Sequence, residues 1–538
     1  MKKTINPETL TAVKKREQLF IRQGNRLSSY KCNKLIFFII LVISIILRII
    51  FLDRVPEGIN VDEAGMAYDA YCYANYGVDR YLYHNPIYLI NFGAGQSVLY
   101  MYLASIFIKI LGFNIISIRL PAVILGIIAI IFAYLLGKKA KGERFGLLLM
   151  ALVAICPWHI MQSRWGLDCN LMSATVFVGI YMLIISKKWW QHILTGIIFG
   201  ISLYSYALSH IVVPVLLIII TIYNIYTKKI KIRNAVLVAI PIMIMAIPLI
   251  LFHLVNMEII PKISDELIAI SKIPRYRLGE INIVNIFKSF MYPQNILLEL
   301  FGFDGNDYNA FPMFGTIYYI SIPFTILGFY LGIKSIYLSI KNRKYSIDAV
   351  ITISFIVMYL CIKTVFCVSI NRTNAIYLLL LYFTALGIVK IVKSKGKTIF
   401  NVIICSYAIC SVLFIYYYFG IYGKNNPNMS FNNDIIQLTQ YLEKYEGKRI
   451  DIVSYAVQPY IYTLIANEES PYTFNETKHY PNNTRGDYGK YYYNYDKIHD
   501  DMVYAIKYPE RKNTAFENKL YENGFKTEEY LGYKIFYK

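Results

Sequence analysis

Long apolar runs recur from residue 34 to residue 420 of this chain, and short clusters of lysine and arginine separate them. Lipid offers the backbone no hydrogen-bond partners, so runs of this length must satisfy their N–H and C=O groups internally, as helices. The 538 residues are 56% hydrophobic and only 17% charged, which excludes an ordinary soluble enzyme. A formal charge of +21 would suit a nucleic-acid binder, but here the cations lie between apolar runs. That is the charge pattern of cytoplasmic loops, and no nucleic-acid partner is expected.

The clusters fall at the N-terminus, Lys138 to Arg144, Lys187-Lys188, Lys228 to Arg233, Lys334 to Lys344 and Lys390 to Lys397. If all are cytoplasmic, an even number of spans joins each neighbouring pair. The stretch from Lys34 to Gly137 holds three apolar runs, at 34–52, 97–113 and 118–137, and parity lets only two cross. The middle run is short and contains Lys109, so it is expected at the outer surface. Further spans are expected near 145–162, 171–186, 191–208, 211–227, 235–255, 316–333, 348–366, 374–390 and 398–420, about eleven in all.

The expected fold is a polytopic α-helical membrane protein with a small extracytoplasmic α/β C-terminal domain. Residues 1–33 form a basic cytoplasmic N-terminus, 34–422 the transmembrane domain with a large outer loop at 53–118, and 423–538 the soluble domain. The first run has no small-residue cleavage site after it and reads as a retained anchor. A second outer loop spans 257–315. In the C-terminal region RIDIVSYAV and GYKIFYK read as strands and NDIIQLTQYLEKY as an amphipathic helix. The eight cysteines lie in or beside apolar segments without metal-ligand spacing, and no disulfide framework is expected.

The unusual residues gather on the outer side. Asp62 and Glu63 follow the first span, then come Asp69, Asp79 and His84. Arg48 lies near the end of the first span, Arg119 opens the next in RLP, Arg164 and Asp168 lie in SRWGLD, His210 in YALSH and Arg372 in NRTN. Charges on one side of a membrane protein mark a cavity or pathway. Each also has a plainer reading: Arg48 and Arg119 as snorkelling cations, His210 as a packed histidine, Asp69 and Asp79 as solvated or capping groups, His84 as a turn residue beside Asn85-Pro86. Arg164 and Asp168 are four residues apart, a spacing suited to an ion pair.

Asp62-Glu63, the 97–113 helix, RLP at Arg119, SRWGLD at Ser163 and Arg372, in this order, resemble the GT-C glycosyltransferases of the protein O-mannosyltransferase and aminoarabinose transferase type, grouped as glycosyltransferase families 39 and 83. The family often carries His-Pro-Pro after the acidic pair, where this chain has His84-Asn85-Pro86. The resemblance implies hexosyl or pentosyl transfer in the cell envelope, from a polyprenyl-phosphate sugar donor to an extracytoplasmic glycan, lipid or protein acceptor. It implies Asp62 as general base with Glu63 beside it, Arg164, Arg372 and Arg119 as donor-phosphate ligands, and Asp168 and His84 in support. Inverting displacement of a phosphate requires no cofactor, although Asp62, Glu63, His84 and His210 leave a divalent ion open. A transporter or flippase for a lipid-linked sugar is the rival reading, without the internal repeats that class tends to show.

Overall fold

The computed structural model describes residues 32–264, 268–276, 281–365, 369–422, 431–454, 458–479, 486–495, 497–508 and 514–538. Most of the expected basic N-terminus (1–31), the start of the C-terminal domain (423–430), parts of the second loop and Cys367 lie outside the described residues.

Helix α1 (Cys32–Ile49) leads into α2 (Val61–Tyr76), a hairpin of β1 (Tyr88–Asn91) with β2 (Ala94–Ser97), and α3 (Leu99–Leu111). Then follow α4 (Ile115–Lys141), α5 (Glu143–Ile155), α6 (Pro157–Gln162), α7 (Asp168–Ile185), α8 (Trp189–Leu203), α9 (Ser209–Tyr226) and α10 (Ile232–Asn256). The second loop holds β3 (Ile263–Ser264), β4 (Ala269–Ile270), α11 (Val284–Phe290) and α12 (Pro293–Phe301). The remaining bundle is α13 (Ile322–Asn342), α14 (Ile347–Ile362), α15 (Ile370–Thr373), α16 (Tyr377–Lys395) and α17 (Lys397–Tyr416).

Among the described residues, 8 helices are long and apolar enough to cross a membrane. The other expected spans fall on shorter helices. The 145–162 span is α5, of 13 residues, interrupted at Cys156 because Pro157 lacks an N–H and starts α6 afresh. The spans at 191–208 and 348–366 are α8 and α14, of 15 and 16 residues. The run at 97–113 is the 13-residue α3, which buries Tyr100, Met101, Ala104 and Ile108 and leaves Ile106, Ile110 and Leu111 exposed. Helices α4 and α5 meet so closely that a Cβ on Gly137 would lie 2.7 Å from the Gly146 Cα, which is why both positions are glycine.

The C-terminal region folds around a five-stranded sheet in the order β6-β5-β7-β9-β8: β6 (Tyr491–Tyr493), β5 (Arg449–Val453), β7 (Met502–Lys507), β9 (Tyr533–Tyr537) and β8 (Lys526–Tyr530). The pairs β5/β6 and β5/β7 are parallel, and β7/β9 and β8/β9 antiparallel. RIDIV, GYKIFYK and the helix Asp434–Leu442 occupy the predicted segments. The sheet domain rests on α2: Tyr68 and Tyr71 donate to the Glu469 and Glu468 carbonyls at 2.8 and 2.7 Å, and Asn475 donates to the Arg80 carbonyl at 2.7 Å.

Candidate active site

Asn60 ends the extended chain and caps α2, accepting from the Asp62 backbone N–H at 3.0 Å, while the Glu63 carboxylate accepts from Asn60 N–H at 3.4 Å. This reciprocal capping turns Glu63 inward. There it also accepts from Arg119 Nε at 3.1 Å and from the Gly166 N–H at 2.6 Å, fully buried. One residue earlier on the helix, Asp62 points away and is exposed.

Two of the three arginines expected as donor-phosphate ligands, Arg119 and Arg164, are otherwise engaged. Arg119 donates to the carbonyls of Leu52, Pro56 and Gly58 at 2.8, 3.0 and 2.6 Å. Arg164 donates to the carbonyls of Leu47, Ile50, Phe51 and Val55 at 3.0, 2.8, 3.0 and 2.9 Å and lies 4.8 Å from the Phe419 ring. Both guanidiniums are fully buried. The physical reason is local: the chain leaves α1 and runs irregularly to Asn60, leaving carbonyls without regular backbone partners, and a five-donor guanidinium satisfies several at once. Arg119 and Arg164 therefore brace the loop and are not phosphate ligands in this geometry. Arg164 does not pair with Asp168 either.

Asp168 instead opens α7 and accepts from Ser97 N–H at 3.2 Å and Cys169 N–H at 2.8 Å. It lies near enough to Asp62 for their charges to interact, and the space around the two carboxylates is the candidate cleft. Asn374 fixes the opposite wall: its amide donates to Asn170 Oδ1 at 2.9 Å and its oxygen accepts from Trp158 Nε1 at 2.8 Å. Two residues before it, half-buried Arg372 lies near enough to Tyr206 for its charge to act there, as that of Asp168 does.

From the second loop, Asp304 accepts from Ile370 N–H at 3.0 Å and so sets the turn that carries Arg372. Tyr308 stands between the walls; burial first, then Asp304 and Asp62, push its hydroxyl up to about 12. The apolar floor is Trp165, Leu167, Cys169 and Phe431, with Tyr206 and Tyr308 packed on it. The buried Trp165 indole N–H has no hydrogen-bond partner among the described residues. Tyr462 of the C-terminal domain closes one side, raised above the usual phenol range mainly by burial, with Asp62 among the charges that add to it.

His84 lies elsewhere. It is exposed in a turn bridged to Val78, beyond the far end of α2, about 20 Å along that helix from Asp62. Its supporting role is corrected to a turn residue. Asp69 is neither solvated nor a cap: it holds Arg80 through Nε at 2.9 Å and Nη2 at 2.7 Å, fully buried. Asp79 caps the following turn, accepting from Tyr81 and Tyr83 N–H, each at 2.9 Å. Arg48 donates to the Ala154 carbonyl at 3.2 Å and contacts His159 Nδ1 at 2.7 Å, and His210 packs against His253 at 3.3 Å. No group of three His, Cys, Asp or Glu among the described residues is placed to hold a metal ion.

Tyr206, Tyr308, Asp304, Trp165 and Tyr462 were missed as cleft residues from sequence. The acid-rich turn FGFDGNDY around Asp304 was the available signal.

The fold is that of a polytopic helical membrane protein with a small sheet domain at its C-terminal end. A family model described as dolichyl-phosphate-mannose-protein mannosyltransferase matches residues 96–252, from β2 through most of α10. The fold is similar to ArnT from Cupriavidus metallidurans in the apo state (TM-score 0.57, 8% identity, 95% of this chain and 98% of that one) and to the same protein bound to undecaprenyl phosphate (0.52, 9%, 93% and 97%). It is also similar to the Archaeoglobus fulgidus oligosaccharyltransferase in complex with Zn and sulfate (0.50, 15%, 81% of this chain). The chain spans less than two thirds of the archaeal oligosaccharyltransferase structures it matches, 64% and 62%. No curated protein matches the chain in sequence.

Proposed function

We propose that the protein is a membrane glycosyltransferase that moves a hexosyl or pentosyl unit from a polyprenyl-phosphate donor to an extracytoplasmic acceptor hydroxyl. One observation carries this reading: exposed Asp62 and half-buried Arg372 both lie within electrostatic reach of the Asp168–Tyr206 pair, while the neighbouring charges Glu63, Arg119 and Arg164 are held by the scaffold. Asp62 takes the acceptor hydroxyl proton as its oxygen attacks the anomeric carbon. The bond from that carbon to the phosphate oxygen breaks, the configuration inverts, and Arg372 meets the charge gathering on the departing lipid phosphate. Asp168 holds Ser97 at the cleft wall, and Glu63 orients the loop rather than the acceptor.

The undecaprenyl phosphate bound by the similarly folded ArnT and the mannosyl-phosphate donor in the matched family's description support the donor class. No step runs through a metal ion, and transfer is expected to persist in EDTA. The lysine clusters support a cytoplasmic N-terminus and a sheet domain outside. A cysteine in place of exposed Glu476 is then labelled by an impermeant reagent from outside only, and labelling from the cytoplasmic side would reverse the orientation.

The decisive experiment is Asp62→Asn in lipid-reconstituted protein. Transfer is expected to fall by about 10²–10⁴-fold with the melting temperature unchanged. Full transfer in this variant would remove Asp62 as the base; lipid-linked sugar crossing the bilayer without transfer, in the unaltered protein, would favour a flippase.

A further inference from the structure

A large cavity lies apart from the Asp62 cleft. It opens at the other end of the bundle, between α1, α5, α13, α16 and α17, with a volume of about 1460 Å³. Lys141, on its rim, ends α4 about 33 Å along that helix from Arg119, which sits under the candidate active site.

Its two halves have opposite character. Ile36, Ile40, Leu147, Leu148, Leu386 and Val389 form the apolar part of the lining, on α1, α5 and α16, and α1 and α16 are long and apolar enough to cross a membrane. The mouth carries Arg144, Lys334, Lys344, Lys390, Lys393 and Lys397, all exposed. Among the described residues the lining holds a single acid, Asp348, which is already bound to Lys141 at 2.5 Å and to the Tyr382 hydroxyl at 2.6 Å. None of Lys334, Lys344, Lys390, Lys393 and Lys397 forms an ion pair among the described residues.

Six cations around a hydrocarbon-lined opening repel one another unless an anion sits among them. The chain's own preceding segment is itself cationic: residues 1–31 carry Lys2, Lys3, Lys14, Lys15, Arg16, Arg22, Arg26 and Lys31 against Glu8 and Glu17. A molecule with a phosphate head and hydrocarbon tails matches both halves, and the leaflet at this face supplies it. We propose that this cavity is a binding site for an anionic phospholipid, with its acyl chains between α1, α5 and α13 and its headgroup on the lysine rim. It is a second lipid site, remote from the donor cleft and independent of the transfer reaction.

The test uses the full chain in nanodiscs of phosphatidylcholine doped with phosphatidylglycerol, with retained lipid counted by native mass spectrometry after transfer to mild detergent. The unaltered protein is expected to keep phosphatidylglycerol in preference to phosphatidylcholine. The triple variant Lys390→Gln, Lys393→Gln, Lys397→Gln should lose that retention about tenfold or more. Ala151→Trp, which fills the apolar lining, should lose it with the rim intact. Neutralising Lys228 and Lys231 in the same way, outside the cavity lining, should leave it unchanged. Equal retention in the unaltered protein and the triple variant would overturn the proposal. So would displacement of phosphatidylglycerol by an equal mole fraction of undecaprenyl phosphate, since the site would then belong to a polyprenyl lipid.

Discussion

Arg164 and Arg372 look alike in sequence, each in a short polar turn before an apolar run, and the structure gives them opposite employment. Arg164 is fully buried and spends its guanidinium on four carbonyls of the chain leaving α1. Arg372 is half-buried at a wall held by Asn374 and Asp304, with its charge felt in the cleft. The same division separates Glu63 from Asp62. A rigid frame uses buried charges to satisfy irregular backbone, and the proposed chemistry rests on the exposed carboxylate and the half-buried guanidinium beside it.

The comparison breaks most readily at Glu63. Glu63→Ala leaves Arg119 buried without its counter-charge, and an expected loss of about 3–5 kcal/mol should appear as a large fall in melting temperature. A Glu63 variant that melts normally but is inactive would move Glu63 from the frame into the cleft. Arg372→Ala tests the other side. With the melting temperature unchanged, the rate is expected to fall by about 10²–10³-fold, and Arg372→Lys should recover only part of it, because an ammonium does not reproduce the planar fork. If Arg372→Ala unfolds the protein, the two arginines do the same job and the contrast fails.

Helices were legible because lipid forces each long apolar run into one outcome, and loop-charge parity singled out α3 among three runs. Asp62 was legible as an acid with no sequence neighbour to pair with. The roles of Arg119 and Arg164 were not, because they depend on carbonyls of residues 47–58 that fold under them, and no local spacing encodes this. The four-residue interval from Arg164 to Asp168 suggested a helical pair, but α7 starts only at Asp168, so Arg164 lies in the preceding turn and faces away. Tyr308 and Tyr462 reach the cleft from distant segments, and among 50 tyrosines nothing marked these two.

The smallest expected effect separates frame from cleft by pH. Burial, and then the neighbouring Asp69 carboxylate, push Asp79 up to about 7. The groups around it are Asp69, Arg80, the N–H groups of Tyr81 and Tyr83, and Lys478, whose ammonium is itself lowered to about 8 by burial and then by Arg80. An unfolded aspartate titrates near 4, at roughly 3.9. Between that value and 7 the folded chain therefore holds a proton that the unfolded chain has released. Stability from this group is complete below pH of about 4 and is lost as pH rises through 7. Asp79→Asn cannot titrate, so its melting temperature should decline less over that window than that of the unaltered protein, while the pH dependence of transfer, set in the cleft, should not move. Parallel changes in both profiles would tie the Asp79 turn to the chemistry and dissolve the boundary drawn between the two regions.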